Sequence, residues 1–102
     1  MKVRRWQEST PPDESRLRAA LEAEGYSVFF WTDPRGATYS PHTHDDDQSH
    51  WIVRGALALT VDGEEYVLRA GDRDWLPAGT THSARVVGEQ PVTYLVGSKR
   101  GG

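Results

Sequence analysis

Three of the four histidines in this chain fall within nine residues, at His42, His44 and His50. In a strand, side chains two residues apart point to the same face, so the imidazoles of His42 and His44 are expected to share one space. Two neutral imidazoles placed in this way can bind a borderline transition metal together. A His-x-His pair also arises by chance on solvated strands, so a metal site needs further ligands.

The composition limits what those ligands can be. The 102 residues include no cysteine, which excludes a disulfide framework, a cysteine-based zinc site, an iron–sulfur cluster and a thiol nucleophile. Any metal must therefore be held by histidine, carboxylate or amide groups. A chain of this length supports one domain with one core, so the function has to lie in or on that core.

Charge and hydropathy narrow the expected partners and location. The formal net charge of -3, from 12 basic and 15 acidic residues, argues against a nucleic-acid surface, which needs a basic excess on one face. No apolar run approaches the roughly 20 residues that span a bilayer, and the N-terminal segment lacks the apolar stretch of a signal peptide. We therefore expect a small-molecule ligand, no nucleic acid, no membrane, and a cytoplasmic location by default.

The N-terminal quarter carries the helix signal. Thr10 can cap a helix whose first residue is Pro11, and Gly25 is expected to end it. Within this segment Leu17 and Leu21 form a short apolar stripe. Residues 1–25 are thus predicted to be an arm and one short helix that packs on the outside of a larger unit.

From Tyr26 onward the pattern is that of short strands separated by turns. The first two strands are expected to form a hairpin through the turn Asp33-Pro34-Arg35-Gly36, and Asp62-Gly63 is a tight hairpin turn. Lys99 to Gly102 are expected to fray. The sequence therefore predicts an all-β sandwich or barrel over residues 26–98. The predicted strands are 26–32, 37–40, 51–61 with an interruption at Gly55, 64–69, 81–87 and 92–96.

The histidine pair lies inside a longer pattern that resembles the first motif of the cupin superfamily. That motif is a glycine, five residues, His-x-His, three or four residues, a glutamate, six residues and a glycine. Here the corresponding residues are Gly36, His42, His44, Gln48 and Gly55.

The second cupin motif follows after a hairpin of plausible length. It reads glycine, five residues, Pro-x-Gly, two residues and a histidine, and here it is matched by Gly71, Pro77, Gly79 and His82. The resemblance implies a double-stranded β-helix of the jelly-roll type that holds a divalent transition metal, with zinc, nickel, iron and manganese all open. The implied metal ligands are His42, His44, Gln48 and His82.

The sequence departs from the family pattern at two positions. Gln48 stands where the family has glutamate, and Val86 stands where an asparagine is common. A glutamine amide can bind a metal but brings no charge, so the +2 of the ion would remain uncompensated and an anionic further ligand would be favoured. A small shift of the loop would let one of the aspartates 45–47 bind the metal or accept a hydrogen bond from a ligand, but a solvated acidic loop near the barrel mouth is the simpler interpretation of these residues.

Further side chains are candidates for the rest of the pocket. His50 shares strand parity with Gln48 and can point into the cavity, either as a metal ligand or as an ordinary hydrogen-bonded histidine. Trp51, by the same parity, belongs to the opposite face. The cupin resemblance places further aromatic residues on strands around the barrel, where they are possible pocket walls, although about half of such residues serve as core packing. The possible pocket residues are Tyr39, His50, Trp75 and Tyr94.

The first functional hypothesis is a metal-binding cupin that holds a small polar or anionic ligand. The second is a metal-dependent enzyme, a dioxygenase or an isomerase or lyase, in which the metal binds substrate oxygens. A sensing or assembly module is a third possibility, although no DNA-binding segment accompanies it, and the fold cannot choose among the three. The family resemblance and the need to cover strand edges also imply a homodimer, with residues 26–31 as the main contributor.

Overall fold

A computed structural model describes residues 1–100 of the chain. Within these residues there are nine strands and one helix of ten residues. In chain order the elements are β1 (Lys2–Arg4), α1 (Glu14–Ala23), β2 (Ser27–Asp33), β3 (Thr38–His42), β4 (Asp46–Arg54), β5 (Ala56–Val61), β6 (Glu64–Arg69), β7 (Arg73–Trp75), β8 (His82–Val87) and β9 (Val92–Arg100).

The strands form two antiparallel sheets. The first has five strands in the order β1-β7-β4-β9-β2, and the second has four in the order β3-β8-β5-β6. The protein is therefore all-β with one short helix, as expected, and its architecture is that of a double-stranded β-helix. The main apolar core is drawn from both sheets and consists of Ile52, Leu57, Leu59, Leu68, Val86, Val92 and Tyr94.

Strand β4 has one face toward this core and the other toward the helix. Ile52 lies opposite Tyr94 of β9, whereas Trp51 lies opposite Leu95. Ile52 and Tyr94 belong to the main core, while Trp51 and Leu95 pack in a second cluster with residues of α1. The alternation of a strand thus separates the two clusters, and the expected orientation of Trp51 is confirmed.

The helix begins later than predicted. Its N-cap is Asp13, whose carboxylate accepts a hydrogen bond of 3.2 Å from the backbone amide of Arg16. A start at Pro11 is wrong because the following Pro12 disfavours the helical conformation of the residue before it. The chain leaves the helix at Gly25, which has a φ of +97°, and the predicted end is therefore correct.

The predicted hairpin between the first two strands of the barrel does not form. The turn itself is present, with a 3.1 Å hydrogen bond from the Ala37 amide to the Pro34 carbonyl. However, β2 pairs with β9 and β3 pairs with β8, in different sheets. A turn sequence determines how the chain reverses, whereas the strand's partner depends on which distant strands complete the burial of its face.

The predicted long strand 51–61 is two strands in different sheets, and the chain crosses between them at Gly55. This residue has a φ of +82°, and a Cβ there would lie 2.4 Å from the Pro91 carbonyl oxygen. Only glycine satisfies both the backbone conformation and the close approach. The interruption noted in the sequence is therefore the point at which one sheet continues into the other.

Segments near both ends of residues 1–100 form strands. Lys99 pairs with Asp47 and Arg100 with Asp46 in the β4–β9 ladder, so the predicted fraying is wrong for these two residues, while Gly101 and Gly102 lie outside the described residues. Near the N-terminus, β1 pairs with β7. In residues 1–100, no helix combines the length and apolar character needed to cross a membrane.

Candidate metal centre

Three histidine side chains converge in the space between the sheets. One ligand nitrogen from each of His42, His44 and His82 can be chosen so that all three lie within 4.8 Å of one another. The ring centroids of His42 and His82 are 4.4 Å apart, and those of His44 and His82 are 5.1 Å apart. The pairing of β3 with β8 thus brings together His42 and His82, which are 40 positions apart in the sequence.

A β-bulge in β3 aims His42 at this cluster. Tyr39 lies opposite Ala84, and His42 lies opposite His82. Between these two pairs β3 advances by three residues while β8 advances by two. The additional residue in β3 is the extra residue of a β-bulge. In a regular strand Tyr39 and His42 would face opposite sides, but with the bulge both line the same cavity.

The reason that His44 joins His42 differs from the sequence-based argument. His42 is the last residue of β3, and His44 lies in the loop before β4, so strand alternation does not align the pair. Instead, the backbone amide of Gly79 donates a hydrogen bond of 2.9 Å to the His44 carbonyl. The loop geometry, anchored by the second motif, places this imidazole.

Further hydrogen bonds join the two motif loops. Gln48 and Leu76 exchange backbone hydrogen bonds of 2.9 and 2.8 Å. The Asp47 carboxylate accepts a 2.8 Å hydrogen bond from the amide of Ala78. These hydrogen bonds therefore join the segment that precedes His82 to the segment that follows His44.

Two of the imidazoles are oriented by backbone carbonyls. The Nδ1 atom of His42 lies 2.6 Å from the Ser40 carbonyl oxygen, and that of His82 lies 3.0 Å from the Thr80 carbonyl oxygen. A carbonyl can only accept, so each Nδ1 carries the hydrogen and the Nε2 lone pair of the neutral ring is left for another partner.

Burial favours the neutral, metal-binding form of His44 and His82. It lowers the pKa of His44 and the pKa of His82 below the ordinary value of 6.5, and the neighbouring imidazoles lower both pKa values further. Neutral imidazoles with free nitrogen lone pairs are the ligands that zinc, nickel, iron and other divalent transition metals accept. The donor set therefore fits a metal of this kind.

Gln48 lies at the cavity, whereas the aspartates 45–47 lie outside the histidine cluster. Gln48 is half-buried and lines the cavity with the three histidines. The carboxylate of Asp47 is engaged by Ala78, and that of Asp46 accepts a 3.1 Å hydrogen bond from the Ser98 hydroxyl. Asp45 is exposed in the loop. The histidine cluster of residues 1–100 includes none of these three carboxylates.

The cavity beside the histidines has a volume of about 200 Å³. Drug-sized ligands occupy pockets of roughly 300–1,000 Å³, so this space suits a smaller molecule. The walls beyond the histidines combine aromatic and aliphatic side chains. Apart from the three histidines and Gln48, the lining residues are Trp31, Tyr39, His50, Leu57, Leu59, Ala84, Tyr94 and Val96.

Three of the four possible pocket residues lie at this cavity, and Trp75 does not. Asp74, in the middle of the short strand β7, reaches the cavity side and contacts His50. Its neighbour Trp75 consequently points to the other face, by strand alternation. There its ring lies 4.2 Å from the guanidinium of Arg73.

His50 is hydrogen-bonded to a buried carboxylate. Its Nδ1 lies 2.9 Å from an oxygen of Asp74, which is fully buried. Burial by itself would lower the pKa of His50, but the charge of Asp74 and the hydrogen bond to it together raise the pKa above 6.5. Of the two roles that the sequence left open for His50, this geometry matches the hydrogen-bonded histidine.

A buried carboxylate that the sequence did not reveal lies behind the aromatic part of the wall. Asp33, with 4% of its surface exposed, accepts hydrogen bonds from the hydroxyls of Tyr39 and Tyr94 and from the indole N–H of Trp31. The sequence placed Asp33 in a turn. No local signal could have identified this role, because Tyr94 is 61 positions away.

The fold and the histidine cluster together define a small β-barrel protein with a candidate metal centre. The family model described as a cupin domain matches residues 29–97, and the chain belongs to the cupin family.

Part of the chain is also similar to an enzyme. It is 37% identical over 62 residues to quercetin 2,3-dioxygenase from Bacillus subtilis (strain 168), a match that covers 60% of this chain and 18% of that protein. The chain thus spans less than a fifth of the length of this curated relative.

Solved structures share the fold. A cupin protein from Bacteroides fragilis has a TM-score of 0.67 at 25% identity, over 84% of this chain and 75% of that one. The lyase DddQ from Ruegeria pomeroyi DSS-3, which acts on DMSP, has a TM-score of 0.66 at 24% identity, over 72% of this chain and 38% of that one. The second likeness concerns the fold alone.

Proposed function

We propose that this cupin binds one divalent transition metal through His42, His44 and His82, with Gln48 as a weaker fourth ligand. The observation that carries the proposal is the convergence of three imidazoles within 4.8 Å, two of them with Nδ1 engaged by a backbone carbonyl. Histidines on a merely solvated surface would have no reason to share this arrangement.

The charge of the donor set favours a particular kind of ligand. Three neutral imidazoles and an amide leave the charge of a divalent ion uncompensated. A bound metal would supply Lewis-acid character and open coordination positions to a small polar or anionic molecule. The chain contributes the shape of the cavity, its largely apolar walls, and the orientation of the imidazoles.

A metal-dependent dioxygenase is the second candidate function. It is favoured by the 37% identity over 62 residues to quercetin 2,3-dioxygenase. Isomerase or lyase chemistry, the other enzymatic possibility, has only fold-level support. In either case the substrate has to be compact, because the cavity volume is about 200 Å³.

The test begins with metal-free protein titrated with Fe(II), Mn(II), Ni(II) and Zn(II) by calorimetry. We expect a stoichiometry near one for at least one of these ions, and its loss in the variants His42→Ala and His82→Ala. Oxygen consumption of the Fe(II) and Mn(II) forms with a panel of phenols and diketones then distinguishes the enzyme from the binding protein. Binding that survives both substitutions would overturn the proposed site.

We also propose that the protein forms a homodimer through β2. This strand is at the edge of the five-stranded sheet, so one row of its backbone groups has no strand partner within residues 1–100. Phe29, Phe30 and Trp31 on the same strand are 59%, 42% and 51% exposed. A second copy of β2 would pair these backbone groups and cover the aromatic side chains together.

A further inference from the structure

A second polar wall of the cavity is formed by the hydroxyls of Tyr39 and Tyr94 with the carboxylate of Asp33 behind them. Tyr39 donates to Asp33 Oδ1 at 2.5 Å, and Tyr94 donates to Oδ2 at 2.7 Å. The indole of Trp31 donates to Oδ1 at 2.9 Å. We call Asp33, Tyr39 and Tyr94 the tyrosine wall.

The hydroxyl groups of the tyrosine wall can accept a hydrogen bond from a ligand but cannot donate one to it. A tyrosine hydroxyl has one proton to donate and lone pairs that accept. Both protons are already given to Asp33, because a carboxylate can only accept. Toward a molecule in the cavity, the oxygens of Tyr39 and Tyr94 can therefore only accept, and the Tyr39 oxygen already accepts a 3.3 Å hydrogen bond from the Trp31 indole N–H, which leaves it one lone pair.

We infer that the tyrosine wall selects a ligand that donates a hydrogen bond to it, an alcohol or a phenol. This inference deepens the proposed function, since it assigns the chemical class of the molecule bound in the same cavity as the histidine cluster. The ligand would present a hydroxyl group to the tyrosine wall and, with a metal bound, an oxygen to the metal.

Electrostatics supports the same assignment. The ion pairs found in residues 1–100 join other residues, and the charge of Asp33 is balanced there by hydrogen bonds alone. A buried carboxylate without a cation repels a second anion placed nearby. A carboxylate or phosphate group is consequently disfavoured against the tyrosine wall, whereas a hydroxyl dipole with its proton toward the wall is stabilised.

The tyrosines act as hydroxyls and not as phenolates. Burial and the hydrogen bond to Asp33 raise the pKa of Tyr39 and raise the pKa of Tyr94 strongly. The phenolic protons therefore stay in place at any ordinary pH. The apolar residues Leu57, Leu59 and Val96 line the rest of the cavity, and they suit the hydrocarbon body of a compact alcohol or phenol.

The test compares phenol with anisole, which has nearly the same shape but no hydroxyl proton. Both are titrated into metal-free protein, and binding is followed by NMR through the indole N–H of Trp31 and the backbone amides of β9. Because a net hydrogen bond contributes about 1 kcal/mol, we expect phenol to bind five- to tenfold more tightly than anisole. Equal affinities, or no binding of either probe up to its solubility limit, would overturn the inference.

Substitution of Asp33 tests whether hydrogen bonding to the tyrosine wall, and not only the shape of the cavity, favours phenol over anisole. Asp33→Asn introduces a carboxamide with N–H donors, so one tyrosine has to accept from residue 33 and can turn its own proton into the cavity. The phenol-to-anisole ratio is then expected to fall to about two or less. Glu65→Gln, which removes the same charge from an exposed ion pair with Arg85, serves as the control and should leave the ratio unchanged.

A second variant covers the case in which Asp33→Asn does not fold. Tyr39 is 37% exposed, so Tyr39→Phe removes one acceptor oxygen with little change in packing, and the ratio should fall here too. An unchanged ratio would contradict the inference. Since these titrations contain no metal, a failed metal titration of the same protein refutes the proposed metal site without altering this result.

Discussion

The carboxylate of Glu24, directly after α1, receives two hydrogen bonds of 2.8 Å from the guanidinium of Arg73 in β7. The Nε atom of the same guanidinium donates to the Ser49 hydroxyl at 2.7 Å. The guanidinium of Arg73 also lies over the ring of Trp75. Arg73 is 1% exposed. This pair therefore joins the end of the helix to the outer face of the five-stranded sheet.

Loss of this ion pair should make stability depend less on pH. The hydrogen bonds from Arg73 hold the pKa of Glu24 below its ordinary value of 4.5. A lowered carboxyl pKa stabilises the folded state above pH 4.5, and the contribution is lost as the pH falls through the folded value. Glu24→Gln should reduce the free energy of unfolding at pH 7 by about 1–2 kcal/mol, a modest figure because Glu24 is half-exposed.

Urea denaturation at pH 7 and at pH 3 measures this difference. The wild-type advantage should shrink at the lower pH. Glu22→Gln makes the same charge change on the exposed side of the last helical turn and should alter the free energy of unfolding by a few tenths of a kcal/mol. An equal loss of unfolding free energy in both variants would show that the ion pair between Glu24 and Arg73 does not stabilise the fold.

A carboxylate at position 48 should tighten metal binding. Gln48→Glu adds a negative charge beside three neutral imidazoles, and we expect the dissociation constant for Co(II) or Zn(II) to fall about tenfold. Gln90→Glu, an exposed turn substitution with the same charge change, should have no effect. An unchanged or weaker affinity in Gln48→Glu, measured by competition calorimetry, would show that residue 48 does not bind the metal.

Metal binding should weaken on acidification. The metal requires neutral imidazoles, and protons compete for them once the pH drops below about 6. Because the pKa values of His44 and His82 are lowered, these rings stay neutral to lower pH than an exposed histidine. Metal content after dialysis at stepped pH values measures this release, and stoichiometric metal at pH 4 would contradict it.

Gly55 should be far less replaceable than Gly63, although both have a positive φ. A Cβ at Gly63 meets open space, whereas one at Gly55 lies 2.4 Å from the Pro91 carbonyl oxygen. Gly63→Ala should therefore cost about 1–2 kcal/mol, and Gly55→Ala about 3–4 kcal/mol because the backbone at Pro91 has to move. Thermal denaturation of the two variants compares them, and similar losses would refute the steric explanation.

The dimer should respond to a charge on β2. Phe30→Glu places a carboxylate on the exposed strand and should shift sedimentation from dimer to monomer at micromolar concentration. Ala19→Glu, on the exposed side of α1, adds the same charge elsewhere and should leave the dimer intact. A wild-type protein that sediments only as a monomer would contradict the proposed interface.

Much of the fold could be read from local patterns. The turn at Asp62-Gly63 lies where predicted, with both residues at positive φ, because a tight hairpin turn depends only on nearby residues. The four motif glycines, Gly36, Gly55, Gly71 and Gly79, also have positive φ. Strand partners could not be read in this way, since residues of β2 and β3 pair with residues at least 40 positions further along the chain.

The sequence by itself determined the family, the all-β architecture and the residue types available for a metal, because these follow from spacing and alternation within short segments. The tertiary structure decided which residues meet. The bulge that turns both Tyr39 and His42 to the cavity, the reversal of Trp75 to the outer face, and the contact of Asp33 with Tyr94 all depend on the register between distant strands. That register is set by the simultaneous burial of both sheets, which no single segment encodes.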